Sequence, residues 1–380
     1  MKKILALALA LCLALSFGGF AFAEEEPIHV AFFAPRTGDL TNYGDYLYNG
    51  VMLKVNEVNA AGGVNGRPIE VTVYDDQGSA QEAASIAQII VDDPKYLAAI
   101  GSYNTPCVLS AATVFDEAHM VQMVPCAGAD SVHLEHTYTI RQQNTNSTEF
   151  EYIANVAIND LGADKVGIIY IMNDSGIISM ETITKTVEEA GKEVVLAEGI
   201  MPDQISDYTS LLAKFRDAGP DVICMTCDAK DAATIVKQSK MLGMADMTWL
   251  STGTIYTDEF LEVGGDAVNG VYTMTTYFAG NPDPRISAWT QAYMEAYDGA
   301  TPNYFATGAY ECMSMLVSAF ENGCLDRESI YEYLLTIREW DGDTGLSVYD
   351  ETRNVRKAMT ILQVVDGEFQ MANLTDYEIQ

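Results

Sequence analysis

The chain has 380 residues, of which 54 are acidic and 21 basic, giving a formal net charge of −33. A surface this acidic repels nucleic acid and anionic membranes, which excludes both as partners. With 48% hydrophobic residues the chain is neither disordered nor membrane-embedded, and its length suits two domains.

Met1-Lys2-Lys3 precedes an apolar run from Ile4 to Phe22, and Ala21-Phe22-Ala23 sets small residues three and one positions before Glu24. This is the pattern of an export signal cleaved after Ala23. Glu24-Glu25-Glu26 follows at once, which disfavours a retained anchor, and Leu11 before Cys12 disfavours lipid attachment. No later segment approaches the ~20 apolar residues of a membrane span. A soluble, unlipidated mature chain in a periplasm is therefore expected.

His29 to Ala34 is a short apolar strand of the fully buried, parallel kind. Leu47, Val51, Val55 and Val58 then recur at helical spacing until Gly62-Gly63 stops the helix. Ile69 to Tyr74 is the next strand, and Ser79-Ala80-Gln81-Glu82 is a capping box opening a helix that buries Ala83, Ile86 and Ile90. Leu97 to Ile100, a helix from about Pro106, and Met120 to Val124 complete a first series. After Arg141 a second begins, with a helix near Glu149 to Leu161, strand Lys165 to Ile171 and a helix from about Gly176. Strand Val194 to Leu196, a helix through Leu211, Leu212 and Phe215, and strand Asp221 to Met225 follow. A helix through Ala232, Ile235 and Val236 leads to strand Thr248 to Leu250. Gly270 to Thr276 reads as a connecting strand, with helices near Ile286 to Tyr297 and Thr307 to Asn322. Leu346 to Tyr349 and Ala358 to Val365 read as antiparallel strands. Strands alternating with helices of this length predict an α/β fold of two doubly wound parallel-sheet lobes.

Ligands of open parallel sheets lie beyond the carboxyl ends of the strands. The loops expected there are Pro35 to Asp45, Gly101 to Pro106, Pro125 to Ser131, Met172 to Gly176, and Asp228 to Lys230 with Ser251 to Tyr256. Helix N-termini after them offer N–H donors suited to a carboxylate. Thr105 reads either as a hydroxyl for such a ligand or as a plain N-cap.

Catalytic patterns are scarce: there is no G-x-S-x-G, no P-loop and no G-x-G-x-x-G. His133 and His136 could share a metal but have no clear third ligand, so none is expected. Asp75-Asp76 could be an acid/base pair; ending a strand and accepting backbone N–H bonds is the favoured reading. Six cysteines follow the signal, and the even number permits disulfides. Cys224-Met225-Thr226-Cys227 has redox spacing, but at the end of a strand its thiols face opposite sides. Buried thiols or structural disulfides are expected, with neither cofactor nor catalytic residue.

Thr37-Gly38, Asn42-Tyr43-Gly44-Asp45, Asn49-Gly50 and the run from Asn59 to Gly66 form one ordered set. Ile69 to Asp76, Ile100-Gly101-Ser102 before Thr105, Val124-Pro125 with Ala127, Gly264 to Gly270, and Tyr304 to Tyr310 extend it. In this order and spacing the chain resembles the branched-chain amino-acid binding proteins, type I periplasmic binding proteins that deliver ligands to ABC transporters. The resemblance covers nearly the whole mature chain. It implies two lobes joined by three crossovers and closing like a hinge, with lobe I at 27–141 plus 275–348 and lobe II at 142–274 plus 349–380. It also implies a monomer that captures an amino acid or small carboxylate for a transporter permease. A chemoreceptor partner and an exported enzyme using Asp75, Asp76 or the two histidines are the alternatives.

By the resemblance, Thr105 matches the hydroxyl that holds the ligand's α-carboxylate, Ala127 and Gly128 match the loop binding its polar end, and Tyr43 lines the side-chain pocket. Tyr103, Cys126, Asn173 and Thr254 complete the set from the same loops. Gly128 stands where the family often has Thr, and Ser175 where an aromatic often covers the ligand. Gly253 stands where an acid pairs with the ligand's ammonium group. Asp228, or less directly Asp174, would then supply the charge; failing both, the ligand is a carboxylate, amide or aromatic acid without an ammonium.

Overall fold

The computed structural model describes residues 26–201, 207–372 and 374, so the expected signal segment lies outside them. Short runs of apolar residues form the first sheet: β1 (Ile28–Ala34), β2 (Ile69–Asp75), β3 (Tyr96–Ile100), β4 (Gln122–Val124) and β5 (Thr139–Arg141). They pair in the order β2-β1-β3-β4-β5, all parallel. The second sheet repeats the scheme with β6 (Lys165–Ile171), β7 (Glu193–Ile200), β8 (Val222–Thr226), β9 (Thr248–Thr252) and β10 (Tyr272–Thr275), paired as β7-β6-β8-β9-β10. A small antiparallel sheet joins β11 (Glu339–Gly342), β12 (Gly345–Tyr349) and β13 (Val355–Arg356). Then β14 (Thr360–Val365) and β15 (Glu368–Met371) extend the second sheet antiparallel beyond β10.

The central strands are buried on both faces, β8 over its whole length, because helices cover both sides. The helix Tyr304–Glu321 is buried at every residue except Ser318 and Glu321. It lies so close to the helix Thr41–Ala60 that a Cβ at Gly50 would fall 2.1 Å from the Ala306 carbonyl oxygen.

Three passes of chain meet between the two parallel sheets. Thr276 Oγ1 donates to Gln143 Oε1 at 3.1 Å, Ser347 Oγ to Gln142 Oε1 at 3.1 Å, and Tyr349 Oη to the Arg141 carbonyl at 3.2 Å. The Lys357 N–H donates to Asn144 Oδ1 at 2.7 Å, and Asn144 Nδ2 donates to the Lys357 carbonyl at 3.0 Å.

Several elements differ from the sequence expectation. The segment read as a connecting strand is β10, a full member of the second sheet between parallel β9 and antiparallel β14. The helix expected to reach Leu161 is regular over Asn146–Asn155 and loosens to a π turn at Val156–Asp160. β7 is longer than its three apolar residues because, as an edge strand, it is only half covered. The terminal strands are antiparallel as read, but β12 and β14 belong to different sheets. Helices Asp258–Gly264 and Arg327–Thr336 were not expected; the latter buries only Ile330 and Leu334. Among the described residues no helix is long and apolar enough to cross a membrane.

Candidate functional site

In both parallel sheets the strand order reverses direction beside the first strand, at β1/β3 and at β6/β8, which opens a crevice at the carboxyl ends. A cavity of about 310 Å³ lies there, walled by residues that follow β3, β4, β6, β8 and β9. Of the residues expected from sequence, Tyr103, Thr105, Cys126, Ala127, Gly128, Asn173, Ser175, Asp228 and Thr254 line it. Tyr43 and Gly253 stand behind the wall.

Thr105 opens the helix Thr105–Glu117, but it is not the cap. Asn104 is, its Oδ1 accepting from the Cys107 N–H at 3.0 Å, because its extended backbone aims the side chain at the first turn. Thr105 is 6% exposed and its hydroxyl has no partner among the described residues, so it remains free to donate to a ligand carboxylate.

Tyr43 and Tyr103 stack with ring centroids 4.3 Å apart, and both meet the edge of Phe305. Their hydroxyls reach the turn after β8. Tyr103 Oη donates to Asp228 Oδ1 at 2.9 Å, and Tyr43 Oη accepts from the Ala229 N–H at 3.0 Å. Burial, then the Asp228 charge, pushes both phenols well above their ordinary range. Asn42 Nδ2 adds a contact to Glu259 Oε2. The side chains following β1 and β3 are thus bonded directly to elements of the second sheet.

The two glycines singled out by sequence both stand in crowded surroundings. A Cβ at Gly128 would lie 2.1 Å from Asn146 Oδ1, so the Asn146 side chain occupies the space a Thr would need. From there Asn146 Nδ2 donates to Ser175 Oγ at 2.7 Å. A Cβ at Gly253 would lie 3.0 Å from the Tyr304 ring and from the Met274 carbonyl oxygen. The Gly253 N–H acts on the nearby carboxyl of Glu149, opposing the effect of burial.

Glu149, Asn146, Phe150 and Tyr304 also line the cavity, and sequence reasoning missed all four. Glu149 is 7% exposed, and burial, opposed by the Gly253 N–H, pushes its carboxyl up to about 7. Its only signal in the sequence was its place in the first turn of a helix, where an acid ordinarily serves the helix dipole. Asn173 is partly committed, its Oδ1 capping the Gly176 N–H at 2.9 Å. The Cys126 thiol, which burial pushes far up, donates to the Tyr103 carbonyl at 3.4 Å.

The other sequence candidates have structural roles. Asp75 accepts from the Arg36 and Gln77 N–H groups at 2.8 and 2.9 Å, and Asp76 from the Gly78 N–H at 2.9 Å and from the Ser102 hydroxyl. His133 sits against Arg141 at 3.0 Å and His136 against Asp116 at 2.8 Å. Among the described residues no cluster suited to a metal occurs. Cys107, Cys126, Cys224, Cys227, Cys312 and Cys324 are all free thiols, and only Cys324 is not buried.

The family model described as periplasmic binding protein matches residues 27–368. An amino acid binding protein of Pseudomonas aeruginosa is 27% identical over 367 residues, covering 92% of this chain and 94% of the relative. A structure of a putative branched-chain amino acid ABC transporter protein from Rhodospirillum rubrum is 27% identical, with a TM-score of 0.70 over 91% of this chain and 100% of that one. The branched-chain amino acid substrate-binding protein of Streptococcus pneumoniae, solved with isoleucine, is 23% identical and shares the fold, with a TM-score of 0.84 over 92% and 99% of the chains.

Proposed function

The chain belongs to the periplasmic binding protein family, and from that premise we propose that it is the extracytoplasmic solute-binding component of an ABC uptake system. It captures an amino acid or closely related small carboxylate and presents it to a transporter permease, without covalent chemistry. The observation that carries this reading is the cavity at the carboxyl ends of both parallel sheets, with the free Thr105 hydroxyl at a helix N-terminus on one wall. Hydroxyl and N–H donors of that kind suit a carboxylate.

The working parts are two lobes, 27–141 plus 275–348 and 142–274 plus 349–380. They turn about the crossing passes near Gln143, Thr276 and Ser347. In the closed form the bonds from Tyr103 to Asp228 and from Ala229 to Tyr43 span the cleft, and a ligand adds contacts that favour this form. Selection then depends on which solutes satisfy both walls at once.

Thermal unfolding of the refolded mature protein tests the reading. An amino acid or small carboxylate at a hundred times its dissociation constant should stabilise the fold by ~2.7 kcal/mol, a shift of a few degrees. A panel of both classes that leaves the unfolding temperature unchanged, or a solute recovered chemically altered, would refute it.

A further inference from the structure

Glu149 is an acid of the cavity that the protein leaves without a countercharge. The lining contains no Lys, Arg or His. Among the described residues no basic group acts on Glu149; the groups that act on or feel its carboxyl are the Gly253 N–H and the Tyr304 phenol. Asp228, the other acid of the lining, is engaged across the cleft by the Tyr103 hydroxyl. Its charge still makes the cavity more negative, which favours a cation over a neutral acceptor beside Glu149. A side chain at Gly253 would crowd the Tyr304 ring and the Met274 carbonyl, each 3.0 Å from its Cβ. The carboxylate beside this position comes instead from the first turn of the helix Asn146–Asn155.

On the solute-binding reading above, we infer that Glu149 is the ammonium-binding acid of the cleft and that the ligand is an amino acid, its carboxylate at Thr105 and its ammonium against Glu149. A buried carboxylate without a partner is costly, and pushing the carboxyl up to about 7 is how the empty site reduces that cost. A ligand ammonium removes the cost by supplying the missing charge. The cleft therefore discriminates against the same carbon skeleton without its amine.

Isothermal titration of the refolded mature protein at neutral pH tests this, with the common L-amino acids, 4-methylpentanoate and benzoate as probes. Wild type should bind an L-amino acid and neither ammonium-free acid. Glu149→Gln should weaken that binding at least about a hundredfold, and Glu149→Asp should weaken it less. Glu149→Gln binding the same amino acid within about threefold of wild type overturns the inference while leaving solute capture intact. So does a wild type that takes up only 4-methylpentanoate or benzoate. If no probe binds, the solute reading falls and the inference with it. Should Glu149→Gln not fold, Glu149→Asp decides: its carboxylate is withdrawn by one methylene, and unchanged affinity overturns the assignment.

Discussion

On the proposed hinge closure, shutting the empty cleft buries the Glu149 carboxyl, and the cost of doing so depends on pH. In the structure burial pushes the group up to about 7, against 4.5 for an ordinary glutamate in water. Protonation therefore favours the closed form. The contribution is fully present below about 4.5 and is lost as pH rises through about 7. At about pH 8 the shift corresponds to ~3 kcal/mol against closure, on the order of a hundredfold in the open-to-closed ratio. Small-angle scattering of the ligand-free protein should show a larger radius of gyration at about pH 8 than at about pH 5. Glu149→Gln carries no titrating charge and should give the compact value at both. Equal radii for wild type at the two pH values, or the same change in the variant, would refute the reasoning.

Tyr103→Phe removes a hydrogen bond to a charged acceptor that joins the loop after β3 to the turn after β8, and that the proposed hinge opening would break. Such a bond is worth ~1.5–3 kcal/mol, so affinity should fall roughly ten- to a hundredfold, with the loss in the dissociation rate measured by stopped flow. Gly128→Ala drives a methyl into Asn146 Oδ1 and should destabilise by ~1–3 kcal/mol in denaturant titration, with part recovered in the double variant Gly128→Ala/Asn146→Ala. All six described cysteines are unpaired, and Cys324 alone is not buried. A thiol reagent should therefore label Cys324 first in the native protein, and a reductant should leave the unfolding temperature unchanged; a drop would reveal a disulfide.

The parallel strands and most helices were legible because buried strands are continuous apolar runs and helices repeat their buried positions every three to four residues. β8 and the helix Ala80–Asp92 show this plainly. Elements with little to bury were not: the helix Arg327–Thr336 and the edge strand β7 have sparse apolar signals. At the site, the loops at strand ends located the cavity, but the chemistry within it depended on contacts between distant segments. Asp228 was the natural replacement for a missing acid, yet the Tyr103 hydroxyl, 125 residues away in sequence, already engages it. Glu149 looked like any acid in a first helical turn. Only the meeting of Gly253, Tyr304 and the helix Asn146–Asn155 distinguishes it.

The crossing passes also set the order in which the molecule can be assembled. Asn144 finds its partner Lys357 213 residues later, and Gln142 finds Ser347 205 residues later. The second sheet acquires β14 and β15 from the same late stretch. A chain emerging from the ribosome holds β1 to β5 long before the Tyr304–Glu321 helix that fills their core has been made. Neither half can complete its packing until synthesis is nearly over. Contacts so distant in sequence make folding slow, so the chain stays without its final packing longer than one built from local contacts.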